Sequence, residues 1–171
     1  MPFAFGFLPS PIGTAVAVRG DEGIVALRFT DSAPEQALER MLAGLRGAAL
    51  PDPAGFDELA HQLDEYFAGR RRTFDETLDL SAARGFTRAA LEAIRRIPYA
   101  ETAGYGEVAA AAGSPRAARA VGTACATTPI SLLVPVHRVV RADGSPGEYG
   151  GRPEVKRHLL ALEAAHEAVR A

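Results

Sequence analysis

Apolar and β-branched residues alternate through residues 14–19 and 23–29, on either side of the turn-forming cluster Gly20-Asp21-Glu22-Gly23. A period of two around such a cluster predicts a hairpin. Leu38, Met41, Leu42 and Leu45 then recur at helical spacing, which predicts a helix over 34–45, and the Gly/Ala/Pro-rich stretch 47–55 reads as a mobile surface loop. Leu59, Leu63 and Phe67 mark one face of a second helix over 56–68, and 74–80 alternates like a further strand. From Ser81 the pattern turns helical: 85–96, which stops before Pro98, then 105–112, 115–126 and 153–171. The change of character predicts two domains, an α/β module over residues 1–80 and a mainly α domain over 81–171.

Composition narrows the class. A chain of 171 residues, 47% hydrophobic and 23% charged, has the balance of a globular protein. No stretch approaches the roughly 20 consecutive apolar residues of a membrane span, and Met1 to Ser10 lacks the basic flank and cleavage pattern of a signal peptide, so a cytoplasmic location and no membrane partner are expected. The single cysteine, Cys125, leaves no internal disulfide, and the four histidines are too scattered for a metal site. No metal or cofactor is expected. Charge is uneven: residues 1–80 carry −6 and residues 81–171 carry +4. The basic partner surface therefore belongs to the second half. All its basic residues but Lys156 are arginine. Arginine suits bidentate phosphate and base-edge contacts, and a GC-rich genome yields the same excess.

Tyr105-Gly-Glu-Val-Ala-Ala-Ala-Ala-Gly113, followed by Ser114-Pro115-Arg116-Ala-Ala-Arg119-Ala-Val121-Gly122, has the form of a helix, a glycine-containing turn and a second helix opened by a serine cap and a proline. This suggests a winged-helix-like helix-turn-helix within the second domain. On the second helix Ala118, Val121 and Cys125 are expected to face the core, with Arg116, Arg119 and Thr123 on the opposite stripe. Those arginines are either DNA contacts or the solvated side of an amphipathic helix. Cys125 invites a nucleophile assignment, but its apolar stripe and lack of a neighbouring histidine read better as a small buried hydrophobe.

The segment Thr128-Pro-Ile-Ser131-Leu-Leu-Val-Pro135-Val136-His137-Arg138-Val139-Val140, then Gly144-Ser-Pro-Gly-Glu-Tyr149-Gly150-Gly151, then Lys156-Arg-His-Leu-Leu-Ala-Leu-Glu163, resembles the C-terminal half of the O6-alkylguanine-DNA alkyltransferases. The resemblance runs from about Phe86 to Glu163, and the order hairpin, helices, strand in the first half is similar to the family's N-terminal domain. It implies a DNA-repair protein acting as a monomer on double-stranded DNA that contains O6-alkylguanine. By the same resemblance, Arg119 matches the finger that fills the stack behind a flipped base, and Tyr105 the tyrosine that rotates the target phosphate. Arg116 and Thr123 share the DNA-facing stripe. Val136, Val139, Tyr149, Gly150 and Ser131 would line the alkylated-base pocket. A base extruded from the duplex needs just such a stack filler, a basic surface and a pocket.

Three positions depart from the family pattern. Val136 stands where the acceptor cysteine is found, between the proline and the histidine, and valine has neither a lone pair nor an ionisable proton with which to take an alkyl group. His137 and Glu163 remain from the relay that activates that cysteine, and no catalytic residue is expected. Thr128 occupies the place of a hinge asparagine, and Gly150 that of a serine beside the guanine O6. Three readings follow. The first is non-catalytic recognition of the lesion and signalling to excision-repair proteins, as in alkyltransferase-like members, which usually carry tryptophan at the acceptor position. The second is a methylated-DNA–protein-cysteine methyltransferase inactivated at Val136. The third is a helix-turn-helix DNA-binding module that flips no base.

Overall fold

The computed structural model describes residues 2–171, which divide into two compact units. One runs up to Leu80 and also takes in Pro129–Ser131; the other comprises Ser81–Thr128 and Leu132–Ala171.

In the first unit β1 (Phe3–Leu8), β2 (Thr14–Gly20) and β3 (Gly23–Thr30) form an antiparallel meander. A short β4 (Ala49–Pro51) joins β1 in parallel, for the order β3-β2-β1-β4. The hairpin expected from the alternation is β2–β3. The pattern reading assigns no strand to Phe3–Leu8, although Phe3, Phe5 and Phe7 alternate there with smaller residues. Ala15, Val16, Ala17 and Val18 of β2 are all fully buried, so both faces of the sheet are covered. On one face α1 (Pro34–Leu45) sets Ala37, Leu38 and Met41 against Val16, Val18 and Val25, with Phe3 and Phe5 alongside. On the other, Phe56 packs over Gly6, where a Cβ would come 2.8 Å from the ring; only glycine lets the ring lie so close. Phe56 closes a 3-10 turn (Pro53–Phe56) that leads into α2 (Asp57–Phe67), whose Leu59, Leu63 and Tyr66 are buried.

Two expectations are corrected here. The stretch 47–55 is structured rather than a mobile loop, because the Phe3 N–H donates to the Ala48 carbonyl (2.9 Å) and the Asp52 N–H to that of Phe5 (3.0 Å). Residues 74–80 are extended but form no strand of their own. They touch β3 at one bridge, Ile24 to Leu78, with the Ile24 N–H donating to Thr77 and the Asp79 N–H to Ile24, both at 2.9 Å. Pro129–Ser131 continues this edge: the Leu27 N–H donates to Pro129 (2.8 Å) and the Ser131 N–H to Leu27 (2.9 Å). The second half is therefore not one unbroken block from 81 to 171, since the outer edge of β3 satisfies its backbone groups with this segment.

In the second unit α3 (Gly85–Arg95), α4 (Tyr105–Ala111) and α5 (Ala118–Thr127) pack on one another, and α6 (Pro153–Arg170) closes the chain. Two short strands, β5 (Ala103–Gly104) and β6 (Val139–Val140), pair in parallel, Ala103 opposite Val139 and Gly104 opposite Val140. Each helix falls where the apolar spacing predicts it, except at the start of α5. Pro115 and Arg116 form a turn, closed by the Ala117 N–H on the Ser114 carbonyl (2.9 Å), and the Ser114 side chain caps nothing. The buried stripe of α6 is Val155, Lys156, Leu159 and Glu163, so two ionisable groups lie on a face that helical spacing reserves for apolar ones.

Candidate functional site

Val136, His137 and Arg138 make a single 3-10 turn directly before β6, and all three are buried. Val136 is 4% exposed. Beside it, Glu163 from α6, fully buried, collects donors from several elements. His137 Nε2 lies 2.8 Å from its Oε1; the Arg138 guanidinium donates to both carboxylate oxygens (2.9 and 3.1 Å); and the Ala100 N–H donates at 3.1 Å. Arg138 also donates to the Ile97 carbonyl (2.8 Å) and lies over the Tyr99 ring at 5.7 Å. Arg138 is thus a packing and hydrogen-bonding residue, not a surface cation.

Burial alone would raise the Glu163 carboxyl, but the hydrogen bonds from His137 and Arg138 outweigh it and hold the group below the usual carboxylate range. Against an ionised Glu163, His137 Nε2 carries the proton and donates. Its Nδ1 has no hydrogen-bond partner among the described residues. Burial also holds His137 neutral, lowering its pKa despite the carboxylate beside it.

These shifts predict acid sensitivity. In the unfolded chain a histidine takes up a proton near pH 6.5, whereas folded His137 resists it, so the unfolded state binds the extra proton as the pH falls below about 6.5. Stability then drops by up to about 1.4 kcal/mol per pH unit for that one group. Glu163 adds loss of the same sign lower down, as the pH falls through about 4.3, where unfolded glutamates protonate, towards its own depressed value. Urea unfolding of wild type and His137→Gln at pH 7 and pH 5.5 checks this. The wild type should lose the greater stability on acidification, and equal losses would remove His137 as the cause.

Arg116, Arg119 and Thr123 are exposed, Arg116 in the turn and the other two on α5. The Thr123 hydroxyl donates to the Arg119 carbonyl (3.3 Å). The buried residues of α5 are Val121 and Ala124, whereas Ala118 and Cys125 are only half-buried, so the core stripe is turned from the one expected. Burial pushes the Cys125 thiol up to about 11, which leaves it protonated and a poor nucleophile near neutral pH.

Of the expected pocket residues, the structure gathers Val136, Val139, Tyr149 and Gly150 in the second unit but sets Ser131 in the first, bonded through its backbone to Leu27. Val139 is fully buried, Tyr149 half-buried, and Gly150 exposed at φ 54°. Thr128 is buried at the end of α5, its N–H on the Ala124 carbonyl (3.0 Å). Tyr105, the first residue of α4, is half-buried, and burial raises its phenol. Among the described residues no group of His, Cys, Asp and Glu is arranged to hold a metal ion, and no helix is long and apolar enough to cross a membrane.

Comparison with known proteins accounts for this layout. Residues 4–80 match the model of the 6-O-methylguanine DNA methyltransferase ribonuclease-like domain, and residues 85–165 that of its DNA binding domain. The chain belongs to the 6-O-methylguanine DNA methyltransferase family. The methylated-DNA–protein-cysteine methyltransferase of Mycolicibacterium paratuberculosis is 40% identical over 157 residues, 92% of this chain and 90% of that protein. That of Methanosarcina acetivorans is 33% identical, over 94% and 98%. A crystal structure of Mycobacterium tuberculosis OGT in complex with DNA is similar at a TM-score of 0.82 and 37% identity, covering 95% of this chain and 94% of that chain.

One member of the site goes unnoticed by sequence reasoning. Lys156, 1% exposed, donates through Nζ to the Val139 carbonyl (2.5 Å) and lies 5.9 Å from the Tyr105 ring centroid. Burial lowers its pKa. Its signal was available: it is the chain's single lysine, and it occupies the apolar stripe of α6 in a methyltransferase-family domain whose other cations are arginines.

Proposed function

We propose that this protein recognises O6-alkylguanine in duplex DNA without removing the alkyl group, and hands the held lesion to other repair factors. The observation that carries the reading is the buried Val136 turn. The family resemblance aligns Val136 with the acceptor cysteine, so the reaction has no nucleophile, yet the support around it is kept, with His137 and Arg138 both bonded to Glu163. Cys125 is no substitute, since burial keeps its thiol protonated. The exposed Arg116, Arg119 and Thr123 supply the DNA-facing surface, with Arg119 as stack filler, while Tyr105 turns the phosphate. A valine methyl wall can still accept an alkyl group by apolar contact.

Full-length similarity to proteins named as methyltransferases favours a second reading, a transferase inactivated at Val136 with no selected role in recognition. Binding separates the two. At one fixed salt concentration, duplexes with and without O6-methylguanine are titrated against the protein, and its intact mass is followed in parallel. Recognition without transfer requires at least about tenfold preference for the lesion, roughly 1.4 kcal/mol, and no gain of a methyl mass. Equal affinities would sink the recognition reading and leave the inactivated transferase or a non-flipping DNA-binding module. In the same assay Arg119→Ala is expected to lose most of the preference while unfolding at the wild-type temperature; unchanged preference would remove Arg119 from the role of finger.

A further inference from the structure

Lys156 is costly where it stands. A buried ammonium is expensive to desolvate, and a well-packed apolar side chain of similar volume is often neutral or stabilising in such a place. It donates to the Val139 carbonyl, and the Tyr105 ring lies 5.9 Å away, within reach of a cation–π attraction. Both contacts converge on one junction. Val139 begins β6 immediately after the Val136–Arg138 turn, and β6 pairs with β5, whose Gly104 directly precedes Tyr105.

The Tyr105 ring in turn lies close to α5 and to the loop before Tyr149. A Cβ on Gly122, one helical turn beyond Arg119 on α5, would lie 3.9 Å from the ring edge, and a Cβ on Gly147, in the loop before Tyr149, would lie 3.6 Å from the phenol oxygen. Gly147 has φ +79°, a conformation that favours glycine, so the loop meets the hydroxyl with bare backbone. The ring is thus seated between the arginine-bearing helix and the pocket loop.

We propose that Lys156 is a positioning residue for lesion recognition: from α6 it holds the Tyr105 ring against the β5–β6 junction, and so sets the tyrosine in register with Arg119 and with the pocket loop. This builds on the recognition reading above, and its test separates the two. The double-mutant cycle of Lys156→Met and Tyr105→Leu is run on the ratio of lesion to unmodified-duplex affinity, with a 2-aminopurine beside the lesion reporting base extrusion by its fluorescence. Each single variant should cut the ratio by on the order of tenfold, and the double variant no further. Additive losses overturn the proposal.

A second arm needs no DNA. In protein labelled with carbon-13 tyrosine, Lys156→Met should shift the Tyr105 ring signal, identified by its loss in Tyr105→Leu, and leave the other tyrosines in place. An unmoved Tyr105 signal overturns the clamp even if recognition is intact. Should the wild type lack lesion preference, recognition fails while the ring signal still decides the clamp. Lys156→Gln, which keeps a donor for the Val139 carbonyl and removes the cation, is used in both arms if Lys156→Met does not fold.

Discussion

Val136→Cys is expected to convert a chain that accepts no methyl group into one that accepts a single methyl per molecule from O6-methylguanine DNA. The substitution is small, removing about one methyl group from a buried side chain, so the turn should tolerate it at a cost of about 0.5–1.5 kcal/mol. What it adds is a sulfur beside His137, whose Nδ1 lacks a partner among the described residues and whose Nε2 is anchored on Glu163. A positioned neutral imidazole can take the thiol proton, directly or through a water; the sulfur–carbon bond then forms as the carbon–O6 bond breaks. Intact mass after incubation with methylated duplex measures the outcome, and peptide mapping locates the group. A methyl on Cys125 of the wild type would overturn the claim that transfer is missing. An inert Val136→Cys protein that still prefers the lesion would move the defect beyond position 136, to the Thr128 and Gly150 departures.

Replacing Glu163 by glutamine should cost about 3–5 kcal/mol, because it leaves the Arg138 guanidinium buried without its countercharge and disturbs the bonds to His137 and Ala100. For a chain of this size that loss lowers the unfolding temperature by roughly 6–20 °C. Arg138→Met should be damaging for the mirror reason, an unpaired buried carboxylate. Combining Arg138→Met with Glu163→Leu removes both charges together and should cost less than the sum of the single changes. Calorimetry on the set is decisive. A loss under about 1 kcal/mol for Glu163→Gln would mean that the group is solvated and that the network does not hold the turn. Since His137 is fixed by the same carboxylate, restored transfer in Val136→Cys should disappear when Glu163→Gln is added.

Periodicity placed α1, α2, α3, α4 and α6 and the β2–β3 hairpin, but it passed over β1, whose Phe3, Phe5 and Phe7 also alternate. It misled where backbone partners decide. The stretch 47–55 looks like loop because Gly, Ala and Pro dominate it, but Phe3 and Phe5 supply hydrogen bonds that no local signal announces. Residues 74–80 alternate like a strand yet touch β3 at one bridge, for the converse reason. At the site, the outward placement of Arg119 was legible from helical spacing, and the motif drew attention to Val136. Lys156 stood out only as the single lysine on an apolar stripe; its partners, a strand carbonyl and an aromatic ring, come from distant segments that no helix pattern announces.

Pro129–Ser131 bears on how this chain can be handled. A cut after Leu80, which the sequence invites, would return a first fragment whose β3 has lost its bonds at Leu27, leaving bare strand edge open to pairing with a second copy. The remaining fragment would keep those same residues as a tether with no sheet to receive it, two positions beyond α5 and shortly before the Val136 turn. The fold is divisible into two cores, then, but not into two polypeptides.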